Sequence, residues 1–161
     1  MDSHFTMETN NALAQELNAT LGRIHEIQIE LDDVEVALKE DQEEVETYTD
    51  EIADCCDRIN AIDEFVRDIK AGNVPAMADV ASVMSNMVEE REEEELMLQR
   101  LGEVRACHEQ QIQQMKTQLT VLQEERMELQ KKSVQIWCVL GRTGVFELVI
   151  RQLAERTVKI L

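Results

Sequence analysis

The chain has 161 residues and a formal net charge of −18, from 34 acidic and 16 basic side chains, and only 3% of it is aromatic. So few large rings speak against a sizeable compact core. So strong an acid excess speaks against direct nucleic-acid binding, because phosphate would be repelled.

The charge is uneven along the chain: residues 1–70 carry 20 acids and 5 bases, 71–133 carry 12 and 7, and 134–161 carry 2 and 4. The N-terminus, Met1-Asp2-Ser3-His4-Phe5, lacks the basic and apolar segments of a secretory signal. Residues 1–9 read as a flexible lead, with Thr9, Asn10 or Asn11 as candidate caps for a helix from about residue 10.

From Leu17 onward an apolar residue recurs every seven positions: Leu17, Ile24, Leu31, Leu38, Val45, Ile52, Ile59 and Val66. Three positions on runs a second series: Thr20, Ile27, Val34, Asp41, Tyr48, Cys55, Ile62 and Ile69. These are the inner positions of a heptad repeat, with Thr20 and Asp41 as its polar members. A repeat this long and strict specifies a helix that supercoils around a partner helix.

A break follows at 70–76, where Gly72 suits the left-handed residue after a helix and Pro75 the first turn of the next. A second helix from about Pro75 has poorer inner series. One reads Met77, Met84, Arg91, Leu98, Arg105, Ile112, Leu119, Arg126, Ser133 and Leu140; the other reads Val80, Met87, Glu94, Leu101, His108, Met115, Leu122, Leu129 and Ile136. The short connection folds it back antiparallel.

Placing Ile69 opposite Met77 makes Asp41 face Arg105 and Thr20 face Arg126, so the polar layers of the two helices coincide. The same register puts Leu31 opposite Met115 and pairs Arg58 with Glu90, Arg23 with Glu125, and Glu16 with Lys132 on the flanks. Such exposed pairs contribute little stability but help set register. Arg91 then faces Cys55 and Glu94 faces Ile52, a weak place in the seam, since an unpaired buried charge is costly.

The expected fold class is therefore all-α: a long antiparallel coiled-coil hairpin over 10–140, with a short apolar C-terminal segment at 141–161. Val134, Ile136, Trp137, Cys138, Val139 and Leu140 form one apolar run. Val145, Phe146, Leu148, Val149, Ile150 and Leu153 form another, beyond Gly141-Arg142-Thr143-Gly144. The composition permits a β-hairpin. The spacing of Glu147, Arg151, Gln152, Glu155 and Arg156 favours a helix over about 145–157 with one wet face. Trp137, Phe146, Val149 and Leu153 are the candidate partner-binding anchors, because large aromatic and aliphatic groups dominate buried interfaces.

Catalysis is not expected. The carboxylates lie on helix faces with no cleft to perturb them, and His4, His25 and His108 are scattered. Cys55, Cys56, Cys107 and Cys138 lack both CxxC spacing and the spacing that places two ligands on one helix face, so neither metal nor cofactor is expected. Without a disulfide framework, an intracellular, reducing compartment is the expectation.

The pattern points to a non-enzymatic scaffold subunit of an elongated heteromeric coiled-coil complex, acting by spacing and docking. Cytoskeletal, kinetochore, nuclear-pore and tethering assemblies use chains of this architecture. Its expected partners are other coiled-coil subunits in a hetero-oligomer, with no direct nucleic acid. A membrane-proximal adaptor is the alternative, supported by Trp137, Phe146 and the local basic excess, but four basic residues are few for anionic lipid. A prefoldin-like holdase would fit long antiparallel helices, yet the 70–76 connection is too short for the strands such a chaperone carries.

Overall fold

The computed structural model describes residues 2–73, 79–142 and 155. The fold is all-α: two helices, α1 (Asp2–Lys70) and α2 (Val80–Arg142), form a tightly packed hairpin. It falls into two compact units, Met1–Val36 with Thr117–Leu161 and Ala37–Lys116, and both helices run through both units.

The seven-residue pattern decides which faces meet. Every member of the two α1 series from Leu17 to Ile69 is buried or half-buried, and so is every member of the α2 series from Met84 to Leu140. In the unit holding both outer helix ends, Ala14, Leu17, Ile136 and Leu140 form one core cluster, with Leu13, Leu21 and Trp137 packed against it. Ile27, Leu31 and Leu122 form another, with Val34, Leu119 and Leu129 alongside. The 37–116 unit is leaner, with only Cys55 and Ile62 as its buried apolar residues among those described.

The ends of the helices are set by local chemistry. Gly72, at φ 74°, closes α1: its N–H donates to the Ile69 carbonyl at 3.1 Å, and that of Asn73 donates to the Asp68 carbonyl at 3.0 Å. Arg67 and Lys70 in the last turn complement the helix dipole. At the start of α2, Asp79 Oδ1 accepts from the Ser82 N–H at 3.1 Å, an N-cap.

The sequence reading needs correction at three places. First, α1 begins at Asp2, so Thr9, Asn10 and Asn11 lie inside the helix rather than capping it, with Asn10 buried. Second, α2 begins at Val80 behind its Asp79 cap rather than near Pro75, which lies outside the described residues.

Third, the register lies about one heptad outward of the one read from sequence. Leu17 clusters with Ile136 rather than meeting Leu129, and Leu31 clusters with Leu122 rather than Met115. The shifted register joins apolar residues to apolar residues in both clusters. It also changes the polar pairing, because Thr20 and Ser133, both buried, need no charged partner. Their hydroxyls donate to carbonyls of their own helix, Thr20 to Glu16 at 2.8 Å and Ser133 to Gln130 at 2.7 Å.

Val134–Arg142 continues α2, so the first arm of the alternative β-hairpin is helical. Phe146, Val149, Leu153 and the expected helix over 145–157 lie outside the described residues, apart from Glu155.

The register is open to a direct check. With the four native cysteines replaced, Leu31→Cys with Leu122→Cys should oxidise to an intramolecular disulfide, whereas Leu31→Cys with Met115→Cys should stay reduced. Mass spectrometry under mild oxidant reads both. Efficient closure of the 31–115 pair would restore the register derived from sequence.

Candidate partner-docking surface

A hairpin binds partners through what its own seam leaves uncovered, so the seam comes first. In the 37–116 unit α2 contributes four charged or titratable inner residues, Arg91, Glu94, Arg105 and His108, which are half-buried. Three of them find partners on α1. Arg91 Nε meets Asp63 Oδ1 at 2.7 Å, and its guanidinium also pairs with Glu95. Glu94 accepts from Arg58 Nε at 2.8 Å and from the Cys55 thiol at 3.1 Å. His108 Nδ1 lies 2.7 Å from Asp41 Oδ1, and its ring stacks on Tyr48, with centroids 5.6 Å apart. An ionised carboxylate only accepts, so Nδ1 carries the proton in this pair.

These contacts revise the layers read from sequence. Asp41 is joined to His108, while Arg105 lies 3.9 Å from Glu109 on its own helix. Arg126 donates to Gln28 Oε1 at 2.6 Å instead of serving Thr20. Arg58 pairs with Glu94 rather than Glu90, and Glu94 rather than Arg91 meets Cys55. Two flank pairs stand as read, Arg23 with Glu125 at 2.9 Å and Lys132 with Glu16 at 2.8 Å. Sequence reasoning missed Asp63 and Tyr48 as partners, and it placed His108 on the inner series without joining it to Asp41. Their signal was present: all three lie on or beside the inner series, within reach once the register moves one heptad.

The electrostatics follow from these pairs. The Arg58 guanidinium, and then the Cys55 thiol, hold the Glu94 carboxyl below the usual range, and Arg91 does the same for Asp63. Burial, and then Glu94, push the Cys55 thiol up, so it stays a protonated donor rather than a reactive thiolate. All four cysteines are free, and among the described residues no group of three or more His, Cys, Asp or Glu side chains is placed to hold a metal ion.

Of the candidate anchors, only Trp137 is described. It is half-buried against the Ala14–Leu17–Ile136–Leu140 cluster of its own hairpin. Of the twelve large apolar residues left to solvent among those described, six fall in three pairs one heptad apart, while Met7, Val80, Val88, Leu96, Val121 and Val139 stand singly. Ile29 (50% exposed) and Val36 (59%) lie on the outer face of α1. Met97 (46%) with Val104 (39%), and Met127 with Val134, lie on α2. Scattered exposed apolar residues are ordinary, whereas pairs at heptad spacing line up along one helix face. No described helix is long and apolar enough to cross a membrane.

No protein-family model matches the chain, and no curated protein or solved structure shows significant similarity to it.

The depressed carboxyl of Glu94 makes the seam pH-sensitive in a defined direction. A carboxyl whose folded value is lowered contributes stability that is complete above its unfolded value and is lost as pH falls through the folded one. The resistance of the 37–116 region to urea, followed by hydrogen exchange, should therefore fall as pH drops below about 4.3. Glu94→Gln should flatten that acid limb while lowering stability at neutral pH. An unchanged acid limb would show that Glu94 does not govern it.

Proposed function

We propose that this chain is a non-enzymatic scaffold subunit of a heteromeric coiled-coil complex, working by spacing and multivalent docking in a reducing intracellular compartment. The observation that carries the reading is the continuous inner face: two long helices keep a seven-residue repeat buried or half-buried across Leu17–Ile69 and Met84–Leu140. A two-helix hairpin that lacks catalytic motifs among its described residues suits a structural role. Its heptad-spaced exposed apolar pairs supply surface for further helices. Supercoiling of the pair, and assemblies of the cytoskeletal, kinetochore, nuclear-pore or tethering type, belong to this proposal.

Docking is assigned first to the C-terminal segment. Phe146, Val149 and Leu153 follow Trp137 at the end of α2 and make that region the densest apolar stretch of the sequence. Charge supports a different chain as the partner. Residues 1–70 carry 20 acids and 5 bases, so a second copy laid against them would be repelled at low salt.

Deleting residues 141–161 should abolish co-purification with the native complex while hydrogen exchange still reports full protection of α1 and α2. Retained partners, with new fraying of Leu13–Leu17 and Leu129–Ile136, would show instead that the segment seals its own hairpin.

A further inference from the structure

Three uncovered apolar pairs differ in their surroundings. Ile29 and Val36 stand on the outer face of α1, and Met127 and Val134 adjoin residues outside the described part of the chain. Met97 and Val104 are different, because they border the seam itself. They immediately precede the inner residues Leu98 and Arg105, and half-buried Leu101 lies between them at helical spacing, so the three form one strip. This strip sits in the unit with the leaner core, where seam residues Leu98 and Leu101 are only half covered.

The border of the strip is acidic. On α2 the same face continues toward its N-terminus through Glu93 and Glu90, both exposed. On α1 the adjoining flank is identified by Arg58, which reaches Glu94, three residues before Met97. Glu51 and Glu44 occupy that same flank, one and two heptads before Arg58, and are exposed. Among the described residues none of Glu44, Glu51, Glu90 and Glu93 is ion-paired. The cations nearby are Arg58, which Glu94 already neutralises, Arg105, which follows Val104 and lies 3.9 Å from Glu109, and Arg100, exposed on the outer edge at helical spacing from both Met97 and Val104.

We infer that Met97, Leu101 and Val104, edged by Glu44, Glu51, Glu90 and Glu93, seat a basic amphipathic helix of a partner protein. The inference rests on the scaffold reading and adds the place and chemistry of one docking surface. The occupant follows from charge. An apolar stripe with lysine or arginine on its flanks would cover the strip and meet unpaired carboxylates at Glu51 and Glu44 along one edge, and at Glu93 and Glu90 beyond Arg100 on the other. A second copy laid on through its own Ala37–Lys116 unit does not fit, because that unit carries 21 acids and 8 bases and would bring like charge to like charge.

The test uses the full chain and a synthetic helix of about 28 residues, four heptads with leucine at the inner positions and lysine on both flanks. A matched peptide has glutamate for every lysine. Fluorescence anisotropy should show the lysine peptide binding at least about tenfold tighter than its glutamate counterpart, and weakening as salt rises. Met97→Glu with Val104→Glu should weaken it by about tenfold or more, whereas Ile29→Glu with Val36→Glu should leave it within about twofold. Both double variants alter exposed residues, and circular dichroism checks their helicity.

Absent binding, equal binding of the two peptides, or equal loss in both double variants would overturn the inference, the last by reducing it to unspecific charge attraction. Sedimentation showing Met97-dependent self-association would overturn it in favour of a second copy. A chain that enters its native complex but binds the lysine peptide no better than the glutamate one fails this inference alone. A chain that enters no complex fails the scaffold reading, whatever the peptide does.

Discussion

A two-helix seam is too thin to hide a charge, and that constraint organises the 37–116 unit. Arg91, Glu94 and His108 lie on the face of α2 that α1 must cover. Each would be costly if desolvated without a partner. The hairpin therefore settles where Asp63, the Arg58–Cys55 pair and Asp41 are within reach of them. Polar complementarity of this kind adds little to stability, but it penalises every register in which a seam charge meets an aliphatic side chain. It acts as a selector more than as glue.

Stability comes mainly from the other unit. There Leu17, Ile27, Leu31, Leu122, Ile136 and Leu140 are buried, and the buried hydroxyls of Thr20 and Ser133 are satisfied within their own helices. Burying a full leucine or isoleucine side chain is worth roughly 1.5–3 kcal/mol. An apolar seam alone tolerates a slip of a whole heptad, because the pattern repeats. The division is a physical one: the unit rich in leucine supplies affinity between the helices, while the unit rich in charge supplies uniqueness.

The same division explains what could be read from the sequence. The phase of the repeat was legible except at the start of α2, where Val80, read as an inner residue, is exposed. Every inner position assigned between Leu17 and Ile69, and between Met84 and Leu140, is at least half-buried, including the charged ones that a hydropathy scan would have rejected. The register was not legible, because two arrangements one heptad apart both satisfied the pattern, and the choice rested on where α2 starts. Pro75 offered a conventional first turn, whereas Asp79 captures the Ser82 N–H several residues later. Polar matching misled as well, since pairing Asp41 with Arg105 looked decisive until His108, itself an inner residue, could reach the same carboxylate. Of the docking anchors, Trp137 alone falls within the described residues, and there it packs against its own hairpin.

The selector also leaves a surplus. By filling the inner face of α2 with Arg91, Glu94, Arg105 and His108, the 37–116 unit gives up apolar seam positions, yet Met97 and Val104 are placed just outside it. In a chain meant only to close on itself the opposite placement would serve better, with the aliphatic groups inside and the charges out. On the scaffold reading the arrangement is consistent. The inner charges fix one register between α1 and α2, and the apolar groups moved to the flank remain for a third helix. The acids around them, 21 against 8 bases in this unit, set the sign of its charge. At physiological ionic strength that field reaches only about 8 Å. It therefore discriminates between partners at contact distance, where a basic helix gains from it and another acidic one is repelled.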